Sequence, residues 1–129
     1  MTKFIIIGLG GFIGAIMRYS LSGFAQNLFQ KSHTAIFPIG TMFVNVVGCF
    51  LIGFSATLLF ERTVDPAYRL LINVGFLGAF TTFSTFSLET LALIEESEFG
   101  YAFLNVFVSC LIGLIAVWMG RVLFRLIWG

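Results

Sequence analysis

Phenylalanine rings alternate with hydroxyl side chains in residues 75–87, which read Gly-Phe-Leu-Gly-Ala-Phe-Thr-Thr-Phe-Ser-Thr-Phe-Ser. Five hydroxyls fall within the seven positions 81–87, and Phe83 and Phe86 stand among them. Hydroxyl groups donate hydrogen bonds, and the edge of an aromatic ring carries partial positive charge. Weak donors in series suit a small anion, because each one holds the ion loosely enough to release it.

Polar or small residues also recur at helical spacing in two other apolar stretches. They are Thr41, Asn45 and Gly48 in one stretch, and Asn105, Ser109 and Gly113 in the other. Residues spaced in this way share one helical face. The Asn45 amide can donate two hydrogen bonds, and two interpretations remain open: it joins helices together, or it lines a polar path.

A single cation stands inside the first apolar stretch, where residues 10, 14, 18 and 22 are Gly, Gly, Arg and Ser. The spacing of Gly10 and Gly14 favours close packing between helices. An arginine at the centre of a membrane helix costs about 2.5 to 3.5 kcal/mol. Arg18 therefore either extends to the membrane surface or attracts anions towards a vestibule.

Helical geometry divides the third stretch into two faces. At about 100° per residue, one face would contain Thr81, Thr82, Thr85 and Glu89, and a neighbouring face would contain Phe83 and Phe86. A carboxyl group inside a membrane span is a functional hypothesis by default. The alternative is that Glu89 is bonded to Thr85 or Arg18 for structural reasons.

Two glycines, Gly75 and Gly78, precede these faces and predict a break in the third helix. Irregular backbone at membrane depth needs protein, water or an ion to satisfy its polar groups. Unwound carbonyl oxygens are suitable ligands for a hard cation such as sodium. The competing interpretation is that both glycines only allow close packing.

The elements that must position these residues are membrane-spanning helices. Hydrophobic residues make up 59% of the 129 residues, charged residues make up 10%, and the mean hydropathy is +1.04. These values exclude an ordinary soluble domain. A membrane helix needs about 20 apolar residues. The sequence predicts an all-α integral membrane protein, with one domain over residues 1–129 and spans at about 4–25, 36–60, 70–94 and 101–127.

All four spans carry polar or small stripes, and homo-oligomerisation is therefore expected.

With four spans, both termini and the second loop share one side of the membrane. That side carries Lys3, Arg62, Arg69, Arg121 and Arg125. The opposite side carries Lys31, and Arg18 counts with it if that residue lies near its helix end. The positive-inside rule therefore favours cytoplasmic termini.

Several function classes are excluded. The one histidine, His33, lies in a loop, and no arrangement of serine, cysteine or paired carboxylates resembles a catalytic site. We therefore expect no enzyme activity. Cys49 and Cys110 fall inside predicted spans, where they are expected to be small buried apolar residues without a disulfide. A net charge of +1 gives no indication of a nucleic-acid partner.

The chain resembles the fluoride channels of the Fluc family, also called CrcB, along essentially its whole length. The resemblance rests on residues 14–18 (Gly-Ala-Ile-Met-Arg), on residues 40–48 (Gly-Thr-Met-Phe-Val-Asn-Val-Val-Gly), and on residues 75–87 followed by Glu89. The third motif is long and specific. The resemblance implies an antiparallel, dual-topology homodimer, with two fluoride pores formed where the two copies meet.

The resemblance also implies roles for individual residues. Along the fluoride pathway it places Asn45, Phe83 and Phe86, with a polar track of Thr41, Thr85, Glu89 and Ser109. It places Arg18 towards an aqueous vestibule. It further implies that the backbone carbonyls of Gly78 and Thr81 from both copies supply four oxygens to one structural sodium ion, Na+, which is not transported.

Two features depart from the family pattern. Some members carry a tyrosine where Asn105 aligns, and the bias in arginine and lysine favours one orientation whereas the family expects both. The implied function is passive export of fluoride across the bacterial cytoplasmic (inner) membrane, which lowers its toxicity. Two other hypotheses remain: a small proton-coupled multidrug exporter that uses Glu89, and a purely structural membrane subunit.

Overall fold

The computed structural model describes residues 1–30, 37–61 and 64–129, and the described chain is helical apart from short connections. Helix α1 covers Thr2–Gln30, and α2 covers Ile39–Glu61. The third span contains two helices: α3 covers residues 66–80, and α4 covers Phe83–Glu95. The last helix, α5, covers Phe99–Trp128. Ile36, with which the second predicted span begins, lies outside the described residues, as do Lys31, His33 and Arg62.

The described helices confirm the prediction of an all-helical protein with four spans. Four runs are long and apolar enough to cross a membrane, namely Thr2–Phe29, Ile39–Phe60, Pro66–Glu95 and Phe99–Trp128. Large apolar side chains such as Phe103 and Leu114 are about 70% exposed on the single chain, whereas the fully buried ones include Phe80 and Phe124. An outer surface this apolar is suited to lipid or to other protein rather than to water.

Glycines determine how closely the helices approach. A Cβ atom added at Gly10 would lie 2.3 Å from the Leu71 carbonyl oxygen, and one added at Gly14 would lie 2.2 Å from the Phe76 carbonyl oxygen. Gly75 faces back onto α1, where an added Cβ would lie 2.6 Å from the Ile7 carbonyl oxygen. Helices α1 and α3 therefore pack backbone against backbone, as small residues allow in membranes.

Close packing through glycines also joins α2 to α5. An added Cβ at Gly53 would lie 2.1 Å from the Val117 carbonyl oxygen, and one at Gly120 would lie 2.2 Å from the Phe50 carbonyl oxygen. Cys49 packs on this interface beside Gly113 and is half-buried. Cys110 is exposed, against the prediction that it is buried, and both cysteines are free.

The third span is broken, but not at the glycines. Residues 70–77 form a π-helical segment, and a turn of α-helix continues to Phe80. Thr81 and Thr82 are then extended, with ψ angles of 154° and 115°. The prediction of a continuous stripe through Thr81, Thr82, Thr85 and Glu89 is therefore wrong for the first two residues, because extended backbone removes them from the helical period. Thr85 and Glu89 remain one turn apart on α4.

Candidate functional site

The break in the third span is closed by a side chain from α2. Asn45 Nδ2 donates to the Thr82 carbonyl oxygen at 3.0 Å, and the Thr82 backbone N–H donates to Asn45 Oδ1 at 2.8 Å. The amide group thus replaces a backbone partner on both sides, which is what irregular backbone at membrane depth requires. This is the helix-joining role that the sequence left open for Asn45. The second N–H of its amide takes part in no hydrogen bond within the described residues.

Thr82 also begins the next helix. Its Oγ1 accepts a hydrogen bond from the Thr85 backbone N–H at 3.2 Å, which is the usual geometry of an N-cap. The same hydroxyl donates to Thr85 Oγ1 at 2.9 Å and lies 3.4 Å from Ser84 Oγ. Hydroxyls from three residues therefore meet at the start of α4.

These bonds divert two donors from the backbone carbonyls of Gly78 and Thr81. In a continuous helix the Thr82 N–H would bond to Gly78 and the Thr85 N–H would bond to Thr81, four residues earlier in each case. Here they bond to Asn45 and to the Thr82 hydroxyl. The two carbonyls expected to bind sodium thus lose their helical donors, and hard carbonyl oxygens fit that ion.

Within residues 1–30, 37–61 and 64–129, side chains give no alternative metal site. No group of three or more histidine, cysteine, aspartate or glutamate residues that could hold a metal ion occurs among the residues that the structure describes. Gly78 is exposed, and a Cβ added there would meet only the Asn73 carbonyl oxygen, at 3.8 Å. The backbone at Gly78 is therefore open to a ligand or to another chain.

Phe83 and Phe86 lie side by side at the mouth of a cavity. Their ring centroids are 5.8 Å apart and the rings are tilted by 38°. The cavity measures about 310 Å³ and is lined by Asn45, Gly48, Cys49, Ile52, Leu77, Thr81, Thr82, Phe83 and Phe86. The structure therefore brings Asn45 and both rings together. The Phe83 side chain is 79% exposed, so in the single chain the cavity lacks a wall on that side.

Thr41 and Glu89 form a second polar pair. Thr41 Oγ1 donates to Glu89 Oε1 at 2.7 Å, and Glu89 Oε2 is buried with no partner within the described chain. The partner of Glu89 is thus Thr41, and neither Thr85 nor Arg18, the two structural alternatives, is recorded as bonded to it. Both residues line a cavity of about 520 Å³, which Gln26 and Glu96 also line.

A third cavity, of about 230 Å³, has lining residues in common with the other two. It is lined by Arg18, Tyr19, Ser22, Thr41, Val44, Thr82 and Thr85. It shares Ser22 and Thr41 with the cavity at Glu89, and it shares Thr82 with the cavity at Phe83. Arg18 is half-buried, so its guanidinium group is partly accessible. The predicted residues therefore line three neighbouring cavities, with Glu89 in the first, Arg18 in the cavity between, and Phe83 and Phe86 in the last.

Ser109 lies apart from these three cavities. Its hydroxyl donates to Asn105 Oδ1 at 3.4 Å, and Asn105 Nδ2 donates to Thr90 Oγ1 at 2.9 Å. The Thr90 hydroxyl in turn donates to the Phe86 carbonyl oxygen at 2.7 Å. Asn105 is only 1% exposed, so this chain of bonds holds α4 against α5 behind Phe86.

Three further polar contacts were not predicted. Gln26 accepts from the Gly40 N–H at 2.9 Å and donates to the Phe37 carbonyl oxygen at 3.2 Å, which fixes the start of α2 beside Thr41. Ser55 donates to Asn73 Oδ1 at 2.8 Å within the π-helical segment. The available signal was the same in each case, namely an amide or hydroxyl inside an apolar stretch, but sequence alone does not identify its partner.

Four apolar helices, with polar side chains in the cavities between them, define a small multi-pass membrane protein. Residues 5–121 match the family model described as CrcB-like protein, Camphor Resistance (CrcB). This match covers most of the chain, so the protein belongs to the CrcB family, as its sequence motifs indicated.

Similar proteins carry a more specific name. The chain is 42% identical over 123 residues to a protein of a Sulfurovum species, covering 95% of this chain and 94% of that protein. It is 44% identical to a protein of Methanococcus aeolicus, covering 95% of both chains, and 46% identical to one of Solibacter usitatus, covering 95% and 98%. Each of the three is called a fluoride-specific ion channel, FluC. Ion channels are not enzymes.

Proposed function

We propose that this protein is a fluoride-selective channel that conducts the ion passively. The observation that carries the proposal is the cavity in which Asn45, Phe83 and Phe86 converge beside the broken helix. Membership of the CrcB family and the names of relatives at 42 to 46% identity support the choice of ion.

The lining of that cavity suits a small anion that has lost its water. The free N–H of Asn45 and the ring edges of Phe83 and Phe86 are weak donors, and none of them carries a full positive charge. Conduction requires binding that is strong enough to replace hydration and weak enough to release the ion. A series of weak donors meets both requirements.

The polar residues at the other end extend the pathway. In the proposal Arg18 raises the local concentration of anions in a vestibule, and Thr41, Thr85 and Glu89 extend the polar track. The cavity at Arg18 is also lined by Thr41 and Thr85, and Thr41 lines the cavity at Glu89 as well. Ser109 remains a predicted pathway residue, and within one chain its contact through Asn105 and Thr90 supports Phe86 from behind.

The proposal includes an antiparallel homodimer of dual topology. Phe83 is 79% exposed in the single chain, and the cavity that it borders is open on that side. A second copy would cover this side and complete a pore, with two pores in each dimer. The exposed backbone at Gly78 also supports the face that carries Phe83 as the contact surface between the two copies.

A structural sodium ion belongs to the proposal as well. The carbonyl oxygens of Gly78 and Thr81 would hold it, because their helical donors are diverted to other acceptors. When bound, the ion would supply positive charge that joins carbonyl oxygens from two copies. Fluoride efflux should be lost from protein purified without sodium and restored when sodium is added back, whereas potassium at the same concentration should not restore it. Efflux that is independent of sodium would contradict this part alone.

The physiological role in the proposal is export from the bacterial cytoplasm through the inner membrane. In acidified surroundings fluoride becomes neutral hydrogen fluoride, which crosses the lipid and ionises in the near-neutral cytoplasm, where the anion is trapped. An inside-negative potential drives the anion outward by about 2.3 kcal/mol per 100 mV. A passive pore therefore needs no fuel.

The test is efflux from liposomes that contain the purified protein. Fluoride should leave the liposomes rapidly under a potassium diffusion potential. Chloride should leave no faster than it leaves liposomes without protein. Equal rates for both anions would overturn the proposal. A proton-coupled exporter acting through Glu89 would instead exchange organic cations for protons and would tolerate substitution of Phe83 and Phe86.

A further inference from the structure

A groove between α2 and α5 opens beside an arginine. Its volume is about 380 Å³, and its lining consists of Ile52, Gly53, Ala56, Thr57, Phe60, Val117 and Arg121. The Thr57 hydroxyl donates to the Gly53 carbonyl oxygen of its own helix at 2.7 Å. Apart from Arg121, the groove therefore offers an occupant mainly apolar surface.

The groove lies at one end of the helix bundle. Phe60 is the residue before the end of α2 at Glu61, and Arg121 lies two turns before the end of α5. Long basic side chains at such positions reach the membrane surface while their carbon chains follow apolar protein. Arg121 is exposed, and within the described residues it has no carboxylate partner within 4.0 Å.

A second arginine stands at the same mouth. The guanidinium carbon of Arg69 lies 4.3 Å from the centroid of the Phe60 ring, and Arg69 Nη2 donates to the Leu59 carbonyl oxygen at 3.2 Å. This bond uses one of the five N–H donors of the group. Asp65, the acid nearest in sequence among the described side chains, accepts from the Ala67 N–H at 2.8 Å. Arg69 therefore contacts Phe60, an exposed ring that lines the groove together with Arg121.

We propose that this groove binds an anionic phospholipid. An acyl chain would lie along Ile52, Ala56 and Val117, and the phosphate would be held by Arg121 and Arg69. The apolar walls lie at membrane depth and match an acyl chain. The arginines lie at the membrane surface and match a phosphate, and an anionic phospholipid carries both groups. The proposal rests on the groove and on the membrane location, and it does not depend on which ion the protein conducts.

Native mass spectrometry of the full-length protein tests the headgroup contact. The protein is incubated with equimolar phosphatidylglycerol and phosphatidylcholine, and the ratio of the two retained lipids is measured. Wild type should prefer phosphatidylglycerol. Arg121→Gln and Arg69→Gln should each lower that preference about fivefold, the factor that corresponds to about 1 kcal/mol per basic residue at an anionic surface. Lys3→Gln is the matched control, because it removes one exposed charge from the same end of the bundle but outside the groove.

The variant Ala56→Leu tests the acyl-chain contact. It narrows the groove without changing any charge, and it should reduce retention of phosphatidylglycerol although both arginines remain. Gel filtration shows that each variant is folded. Equal retention of both lipids by wild type, arginine variants that behave like Lys3→Gln, or unchanged retention by Ala56→Leu would each overturn the proposal. Dissociation of an oligomer in Arg121→Gln, with no lipid bound to wild type, would also overturn it by assigning the groove to a second copy.

Discussion

The side chain of Asn45 occupies the place of two backbone groups opposite Thr82. Its amide donates to the Thr82 carbonyl oxygen at 3.0 Å and accepts from the Thr82 N–H at 2.8 Å. The extended backbone at this point of the third span is thereby satisfied at membrane depth, and the helices on either side can begin and end there. One residue of α2 therefore determines the local conformation of a segment 37 residues away.

Asn45→Ala should destabilise the protein and abolish fluoride efflux. Hydrogen bonds between membrane helices contribute about 0.6 to 2 kcal/mol each, so losing this pair should cost about 1 to 4 kcal/mol. Unfolding in mixed micelles with increasing sodium dodecyl sulfate measures the change. Asn27→Ala, at an exposed position of α1, is the control and should leave both stability and efflux unaltered. Wild-type stability in Asn45→Ala would contradict the bracing role.

Phe83→Ile and Phe86→Ile should each reduce fluoride efflux by at least tenfold. Isoleucine keeps an apolar side chain but removes the positive ring edge that the proposed pathway requires. Efflux from liposomes measures the effect. Phe103→Ile, a substitution at an exposed ring on α5 that stacks only on Phe107, provides the control. Full efflux in both variants would refute the assignment of the rings.

Thr41→Val should slow fluoride efflux by about tenfold without loss of the fold. Valine has nearly the shape of threonine but cannot donate to Glu89, so both carboxylate oxygens would be left without partners. Leaving a buried acceptor without its hydrogen bond costs about 1 to 3 kcal/mol. The matched control is Thr57→Val, because the Thr57 hydroxyl is also buried but bonds only within its own helix. Equal efflux from the two variants would remove Thr41 from the proposed track.

Gly14→Ala should separate α1 from the third span. The added Cβ would lie 2.2 Å from the Phe76 carbonyl oxygen, which belongs to backbone and cannot rotate away. Overpacking of this kind costs about 1 to 3 kcal/mol. Gly8→Ala is the control on the same helix, because nothing lies within 4 Å of the atom that it adds. Thermal aggregation of the two variants in one detergent gives the comparison, and equal midpoints would contradict the packing argument.

The four spans could be predicted from the sequence because each one is an apolar run longer than the membrane is thick. The position of the break could not. Gly75 and Gly78 have the local chemistry of a break, yet Gly75 serves close packing against Ile7. The break forms instead at Thr81 and Thr82, where Asn45 bonds to the Thr82 backbone and the Thr82 hydroxyl accepts from the Thr85 N–H. The conformational preference of each residue indicates where a helix can break. A hydrogen-bonding partner on another helix determines where it does break.

The same limit applied to the site. The helical period placed Thr41 and Asn45 on one face, and the structure has both facing the third span. The period could not show that Thr41 would bond to Glu89, or that Asn105 would bond to Thr90 on α4. Those pairings depend on the rotation of α4 after the break, and a continuous helical count across residues 81 and 82 gives that rotation incorrectly.

The contact between Asn45 and Thr82 also has a consequence for biogenesis. A third span that enters the bilayer before it meets α2 lacks the Asn45 amide, and we expect its Thr82 N–H to bond to the Gly78 carbonyl oxygen, as in a continuous helix. The bend then arises only when the two helices dock. The carbonyl oxygens of Gly78 and Thr81 therefore lose their helical donors late in assembly. A chain that inserts correctly but whose helices fail to dock would have neither the bend nor these two free oxygens.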